Sequence, residues 1–546
     1  MIYFSTILLS MFITIALVPI LKRYAVFLHC VDVPCERKMH STPMPKVGGI
    51  AMAFGALIPV VLSISADKTA VAILMGTAVI VVFGVVDDTR ELGYKAKFAG
   101  QVAAALVVVF LGGVKICCLG NLLPGEMVLP NWLAVALTLV VIVGVTNAVN
   151  LADGLDGLAG GMMLLSFLCI SFMAYKIGDT TVALLSAATV GAIFGFLRFN
   201  TYPATIFMGD SGSQLLGFLA ITMAIAITNG TSPYSSLFPL VLLGLPILDT
   251  IWVMVERVRN DTSPFVADKN HLHHKLLKLG LYHTEAVFTL YVLQASLVTV
   301  AFLLRYYHEW ISMAVYLGFI ACMLVILITA EKRDWRLERP GKFDRLIKDQ
   351  LKIYIRERYI GVKLSQSVIE IGFPLLLIAV SSLSTDIPFF ISAVAAGLAL
   401  VILGVSLYKP TGLVGVLRLT VFFFLPLVIY YGEVNRLAWI PDEVMRWFNL
   451  NFVVLVFFAV LTLKFTRRRE GFKLKPIDFI ILFVAIVVPS LPDTAIHSYH
   501  AGALATKIVV FFFVFEVLVG ELRGVLSRLG FAFVVAMLVV AVKGIV

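Results

Sequence analysis

Long stretches without a charged side chain alternate with short polar connections through the first 330 residues. The charge-free runs are 1–21, 47–66, 69–86, 98–114, 127–152, 157–175, 180–197, 211–248, 286–304 and 310–330. A bilayer core about 30 Å thick is crossed by about 20 residues of helix, so each run predicts a span. Run 211–248 is long enough for two, with a break near Asn229-Gly230 and Pro233. The pattern therefore predicts about eleven helices before Ala330. Run 1–21 has no charge and no small-residue cleavage site behind it, and reads as the first span rather than a removed signal peptide.

The connections divide by charge. Connections 22–46, 87–97, 153–156, 198–210, 249–285 and 331–363 hold most of the Lys and Arg, whereas the opposite set holds only Lys68, Lys115, Lys176 and Arg305. The positive-inside rule puts the first set in the cytoplasm and the N-terminus outside. After Ala330 the segment 331–363 is dense in basic residues with interleaved Leu, Ile and Tyr. It reads as a solvated linker, with a basic amphipathic helix on anionic lipid as the alternative. A second apolar region follows, with runs near 366–383, 387–408, 413–432, 448–464, 477–491, 503–519 and 529–546, which predicts about seven more spans. The expected fold is thus all-α and polytopic. Its divisions are a core at 1–335, a basic linker at 336–364 and a C-terminal membrane extension at 365–546.

Composition agrees with that class. The 546 residues are 60% hydrophobic and only 14% charged, against roughly 25% charged in a soluble domain. The formal charge of +10 belongs in cytoplasmic loops and does not point to a nucleic-acid partner. Six scattered cysteines form neither a zinc-type set nor a disulfide framework.

Five polar clusters interrupt the apolar chain, all in the cytoplasmic set or at its helix ends: 37–49, 87–101, 147–161, 207–214 and 267–275. Asp87 and Asp88 are adjacent carboxylates at a helix end, a costly arrangement unless they meet a cation, a metal or water. Such a pair either holds Mg²⁺ or raises one member's pKa into the range of a general base. Asn147, Asn150, Asp153 and Asp156 recur every three residues, which on a helix lines one face, and Gly154, Gly157, Gly160 and Gly161 permit a tight turn. Asp210 stands where a helix begins, as a cap or as a Mg²⁺ ligand. His271, His273 and His274 beside Lys275 lack a Cys partner for zinc and suit a diphosphate better.

These five clusters, in this order, resemble the polyprenyl-phosphate N-acetylhexosamine-1-phosphate transferase family, over about residues 1–335. The segments DVPCERKMHSTPMPKVGG (32–49) and SPFVADKNHLHH (263–274) resemble its bacterial undecaprenyl-phosphate GlcNAc-1-phosphate branch. The phospho-MurNAc-pentapeptide branch has three consecutive His, where Leu272 separates His271 from His273 here. The resemblance implies attack by the undecaprenyl phosphate acceptor on a UDP-N-acetylhexosamine. UMP leaves, and an undecaprenyl-diphosphate sugar for cell-envelope glycans is formed at the cytoplasmic face of the bacterial inner membrane. It implies Mg²⁺, with Mn²⁺ as an alternative, on Asp210 and Asp153. Asp87 and Asp88 would deprotonate or orient the acceptor. Asn150, Asp153 and Asp156 would hold the nucleotide end, and the three histidines would contact diphosphate or sugar. Lys46, Lys95 and Lys97 are expected to neutralise phosphate charge. Other donors, including UDP-MurNAc-pentapeptide, stay open, as does a homodimer. A transporter is the rival class, and it would place its polar groups near the bilayer midplane. The extension at 364–546 lies outside the resemblance.

Overall fold

Pro246 decides the most visible departure from the predicted spans. It has no N–H to donate to the carbonyl of Leu242 and its ring crowds that turn. The ninth pass is accordingly split into α9 (Phe238–Leu242) and α10 (Gly244–Arg259). Sequence predicts that this span stops at 248, but α10 runs on to Arg259 because its apolar positions keep a helical spacing. It buries Leu245, Leu248 and Val253 and exposes Ile251, Val255 and Val258. Asp249, read from sequence as the start of a solvated connection, is thereby carried into a helix and buried.

The remaining elements follow the apolar runs. In the computed structural model, the described residues are 2–32, 43–63, 67–90, 92–123, 127–229, 232–261, 271–333, 335, 359–384, 387–408, 412–434, 441–465, 501–521 and 526–544. They separate into two units, Met1–Glu338 and Arg339–Val546. The first contains α1 (Ile2–Tyr24), α2 (Gly48–Ser63), α3 (Lys68–Arg90), α4 (Tyr94–Gly112), α5 (Asn131–Ala152), α6 (Leu158–Lys176), α7 (Thr180–Asn200) and α8 (Gly209–Thr228). After α9 and α10 come α11 (Leu272–Lys278), α12 (His283–Leu303) and α13 (Glu309–Lys332). With α9 and α10 counted as one broken pass and the short α11 set aside, the described residues hold the eleven passes expected. Ten helices across the described residues are long and apolar enough to cross a membrane. The protein is a polytopic all-α membrane protein.

Helices α6, α7 and α8 form the centre of this unit, with most of their length buried. α1 and α2 pack on α7, while α3 and α5 pack on α8. Close approach needs small residues at these crossings, where van der Waals packing drives helix association. Gly49 meets Gly212 so closely that a Cβ on Gly49 would lie 2.2 Å from the Gly212 nitrogen.

The second unit has helices at Tyr359–Leu383, Phe389–Tyr408, Leu413–Leu419, Leu425–Val434, Asp442–Phe465, Ala501–Glu521 and Leu526–Lys543, with a π-helical turn at Thr420–Phe424. Phe373, Phe452, Phe511, Phe515 and Phe533 make the centre of its core. The span expected at 477–491 and most of the basic linker lie outside the described residues.

Candidate active site

The first unit draws described residues of all five polar clusters to one end of its helices. A cavity of about 700 Å³ there is lined by Asp32, Lys46, Asp88, Asn150, Asp153, Asp156, Asp210, His274 and His283, among others. Each is brought in by a different local device.

The α1–α2 connection contributes a short antiparallel pair, Val31–Asp32 with Met44–Pro45. Main-chain bonds then bind this pair to the segment before α8. Phe207 N donates to Pro45 O at 2.8 Å, Gly48 N to Phe207 O at 3.0 Å and Gly49 N to Met208 O at 2.8 Å. Lys46 is fixed at the cavity by Asp32, Nζ to Oδ1 3.0 Å. Burial works against its charge, but the Asp32 hydrogen bond and the carboxylates of Asp32, Asp88 and Asp210 more than offset that and raise its pKa. Lys46 is therefore a cation at neutral pH.

Asp88, at the end of α3, caps α8 from outside that helix. Its carboxylate accepts from Asp210 N at 2.8 Å and from Ser211 N at 3.0 Å. These are N–H groups that a helix start leaves without an intrahelical partner, and a carboxylate there also meets the positive end of the helix dipole. The expected self-cap is thus replaced: Met208 is the N-cap residue, and Asp210 lies in the first turn. Lys97 on α4 bridges the two remaining carboxylates, 2.5 Å from Asp87 Oδ2 and 2.9 Å from Asp210 Oδ2. Asp87 also accepts from Leu92 N at 2.8 Å. Neither Asp87 nor Lys97 lines the cavity; both are tied to its wall through Asp210. Lys95 is exposed and does not line the cavity either.

The three-residue repeat behaves differently from a helical stripe. α5 ends at Ala152, so only Asn147 and Asn150 share its face, while Asp153 and Asp156 sit on the turn before α6. That turn needs Gly157 at φ 79°, a left-handed conformation that glycine adopts without a Cβ penalty. Asn200 Oδ1 accepts from Gly157 N at 2.9 Å, and Tyr291 OH donates to Gly157 O at 2.5 Å. Asn150 accepts from Ser213 Oγ at 2.5 Å. Asp156 accepts from Ala204 N at 2.9 Å. Asp153 is half-buried on the cavity wall, and that burial, reinforced by Asp210, Asp156 and Asp88, pushes it up to about 7.

The histidines divide. His274 lines the cavity. His273 packs so tightly on Gly154 that a Cβ there would lie 2.2 Å from its Nε2. Burial, with the neighbouring imidazoles His274, His271 and His283, lowers His273 to about 3, so it is neutral at physiological pH. His271 instead turns to Asp249 on α10, Nδ1 to Oδ2 2.9 Å, while Leu272 N donates to Asp249 Oδ1 at 2.7 Å. Asp249 therefore anchors the histidine knot. An Asp249→Ala variant would leave both groups buried without this partner. We expect a loss of about 2 kcal/mol, measured as a lower thermal unfolding midpoint in detergent.

Sequence reading passed over Asp32, Tyr202, Phe207, Asp249 and His283. Asp32 stood inside a quoted segment without being singled out. His283 and Tyr202 are single residues with no repeating pattern. Their relation is spatial: their rings stack at 4.4 Å between centroids, and His283 Nε2 accepts from Asp156 N at 3.2 Å.

Among the described residues, no three His, Cys, Asp or Glu side chains are set closely enough to enclose a cation by themselves. The donor set still suits Mg²⁺. That ion takes oxygen ligands, keeps several waters and commonly uses one or two carboxylates together with substrate phosphates. Asp210 and Asp153 line one cavity and supply such oxygens.

A second cavity of about 480 Å³ opens between α4, α5, α8, α9 and α10. It is apolar, with Phe98, Leu137, Val141, Ile221, Leu240 and Ile251 among its walls. Asn147 belongs to this groove and Asn150 to the polar cavity, one helical turn apart on α5.

The family model for Glycosyl transferase family 4 matches residues 70–228. The chain is 34% identical over 319 residues to the probable undecaprenyl-phosphate N-acetylglucosaminyl 1-phosphate transferase of Bacillus subtilis, covering 58% of this chain and 89% of that protein. It is 30% identical over 331 residues to the undecaprenyl-phosphate alpha-N-acetylglucosaminyl 1-phosphate transferase of Escherichia coli K12, covering 59% and 88%. It is 35% identical over 300 residues to the decaprenyl-phosphate N-acetylglucosaminephosphotransferase of Mycobacterium leprae, covering 48% and 74%. The chain belongs to glycosyl transferase family 4, the polyprenyl-phosphate N-acetylhexosamine-1-phosphate transferases that its polar clusters resemble.

Proposed function

We propose that the protein transfers N-acetylhexosamine 1-phosphate from a UDP-sugar to undecaprenyl phosphate. The sugar is GlcNAc, the products are undecaprenyl-diphosphate-GlcNAc and UMP, and the site faces the cytoplasm at the bacterial inner membrane. One observation carries the reading: a cavity lined by carboxylates, lysine and imidazole lies beside an apolar groove. That pairing suits a reaction between a polar nucleotide sugar and a lipid phosphate. The names of the Bacillus subtilis and Escherichia coli relatives point to the same acceptor and sugar.

In the reaction, an oxygen of the acceptor phosphate forms a bond to the β-phosphorus of the UDP-sugar, and the bond from that phosphorus to the UMP oxygen breaks. The second pKa of a phosphate monoester is about 6, so the nucleophile is already ionised near neutral pH. Alignment and charge neutralisation then carry more of the barrier than proton removal. Asp210 and Asp153 would hold Mg²⁺, which neutralises charge on the donor diphosphate when bound. Lys97, between Asp87 and Asp210, is set to turn toward a phosphate oxygen, and Lys46 adds a second fixed cation. Asp88 acts by orienting the start of α8, and Asp87 by holding Lys97. Asn150 and Asp156 bind the nucleotide end, and the neutral His273 together with His274 offers hydrogen-bonding groups to diphosphate or sugar. The groove receives the isoprenoid tail.

Purified protein given undecaprenyl phosphate, Mg²⁺ and a panel of UDP-sugars should release UMP with UDP-GlcNAc. Chelation with EDTA should abolish release, and Mg²⁺ or Mn²⁺ should restore it. UMP release with UDP-MurNAc-pentapeptide alone would replace the donor, and none with any UDP-sugar would overturn the reading.

A further inference from the structure

Below the polar cavity, three helices repeat one arrangement. α4 carries Lys97 and then Gln101, α8 carries Asp210 and then Gln214, and α5 carries Asn150 and then, one turn deeper, Asn147. The deeper three are all neutral amides, and they touch. Asn147 Nδ2 donates to Gln101 Oε1 at 2.6 Å and to Val143 O at 2.9 Å. Gln101 Nε2 donates to Gln214 Oε1 at 3.1 Å and to Asn147 Oδ1 at 3.3 Å. Gln101 and Gln214 are each only 2% exposed. Polar side chains at this depth in a membrane helix are costly and mark functional paths, and three packing helices could have met through apolar side chains instead.

The position of this amide collar gives its purpose. Of the collar, Asn147 is on the wall of the apolar groove, while Asn150, Asp210 and Lys46 line the polar site above and Lys97 is bound to Asp210. An acceptor lying with its tail in the groove and its phosphate in the cavity must pass its phosphate ester linkage through this level. The ester oxygen carries partial negative charge where the surroundings change from polar to apolar. A lysine held there would lose its hydration, whereas a neutral N–H satisfies the oxygen without burying a charge.

Resting on the function proposed above, we infer that the Gln101–Asn147–Gln214 collar is the seat of the acceptor's phosphate ester. The 3.3 Å bond from Gln101 Nε2 to Asn147 is the longest of the four, and it is the bond that opens so that this N–H donates to the ester oxygen. Gln214 holds the Gln101 amide in the orientation that allows it. The collar is thus a binding and positioning element for the lipid substrate, distinct from the residues that meet the nucleotide.

The test measures binding rather than turnover. Full-length protein in nanodiscs is titrated with undecaprenyl phosphate, undecaprenol and UDP-GlcNAc, as wild type and as Gln101→Leu, Gln214→Leu and Gln294→Leu. Gln294 is a further buried amide, bonded to Ser166 Oγ and Leu242 O, and controls for the general loss of a buried amide. We expect Gln101→Leu and Gln214→Leu each to weaken undecaprenyl phosphate by about tenfold, the size of one lost hydrogen bond with its partner left buried. Undecaprenol and UDP-GlcNAc should bind as in wild type, and Gln294→Leu should change none of the three. Unchanged undecaprenyl phosphate binding in both collar variants would overturn the inference, as would equal weakening of undecaprenol or an equal effect from Gln294→Leu. A wild type that binds undecaprenol as tightly as undecaprenyl phosphate would overturn the acceptor assignment itself.

Discussion

Asp210→Asn should lower turnover with UDP-GlcNAc and undecaprenyl phosphate by at least about 100-fold, the scale of losing a major charge-stabilising group. The substitution keeps the shape of the side chain and leaves the backbone N–H that Asp88 caps, so α8 should start where it does now. What disappears is one anionic oxygen site on the cavity wall and one of the two carboxylates that hold Lys97. Its partner Asp87 remains, so Lys97 should stay close and folding should be affected little. The measurement is UMP release at saturating substrates across a Mg²⁺ titration, alongside thermal unfolding. Loss of rate with an unfolding midpoint near that of wild type supports a chemical role for Asp210. Near-normal turnover would remove it from the metal site.

Gly209→Ala should be nearly as damaging through geometry alone. Gly209 has φ 74°, a conformation costing an L-residue roughly 1–2 kcal/mol. A Cβ there would also lie 2.5 Å from Asp88 Oδ2. Asp88 cannot retreat without releasing Asp210 N and Ser211 N, so the strain passes directly to the first turn of α8. Misplacement by about 1 Å can cost about 100-fold in rate, and a loss of that order is expected. Gly93→Ala is the matched control. Gly93 lies at φ −64° with nothing within 4 Å of the new methyl, and its activity should be unchanged. Comparable rates for the two variants would show that the Asp88 cap does not set the geometry of the site.

The helices were legible because hydrocarbon imposes a length and excludes charge, and both leave marks in a linear chain. The site was legible to the extent that its residues carry charge. Asp87, Asp88, Asp153, Asp156 and Asp210 interrupt apolar runs and announce themselves. Gln101 and Gln214 close the polar clusters 87–101 and 207–214 but also lie inside the charge-free runs 98–114 and 211–248, and a criterion that looks for charge does not single out an amide. Asp249 was hidden for another reason. The charge count ends a span at the first carboxylate, whereas its pairing with His271 and Leu272 N lets α10 continue with that carboxylate buried. The three-residue spacing of Asn147, Asn150, Asp153 and Asp156 fits a helix face, while 153–156 also reads as a connection with glycines for a tight turn; the Gly157 backbone puts Asp153 and Asp156 on that turn. The apolar groove left no local signal, since its wall residues are of the same kinds as those facing lipid.

One wall of the polar cavity is joined by main-chain atoms, from Pro45, Gly48 and Gly49 to Phe207 and Met208. Bonds of that kind survive most exchanges of side chain. Met44 and Phe207 line the cavity and can therefore vary while the frame that presents them persists, so this wall should accept saturation mutagenesis without collapse of the pocket.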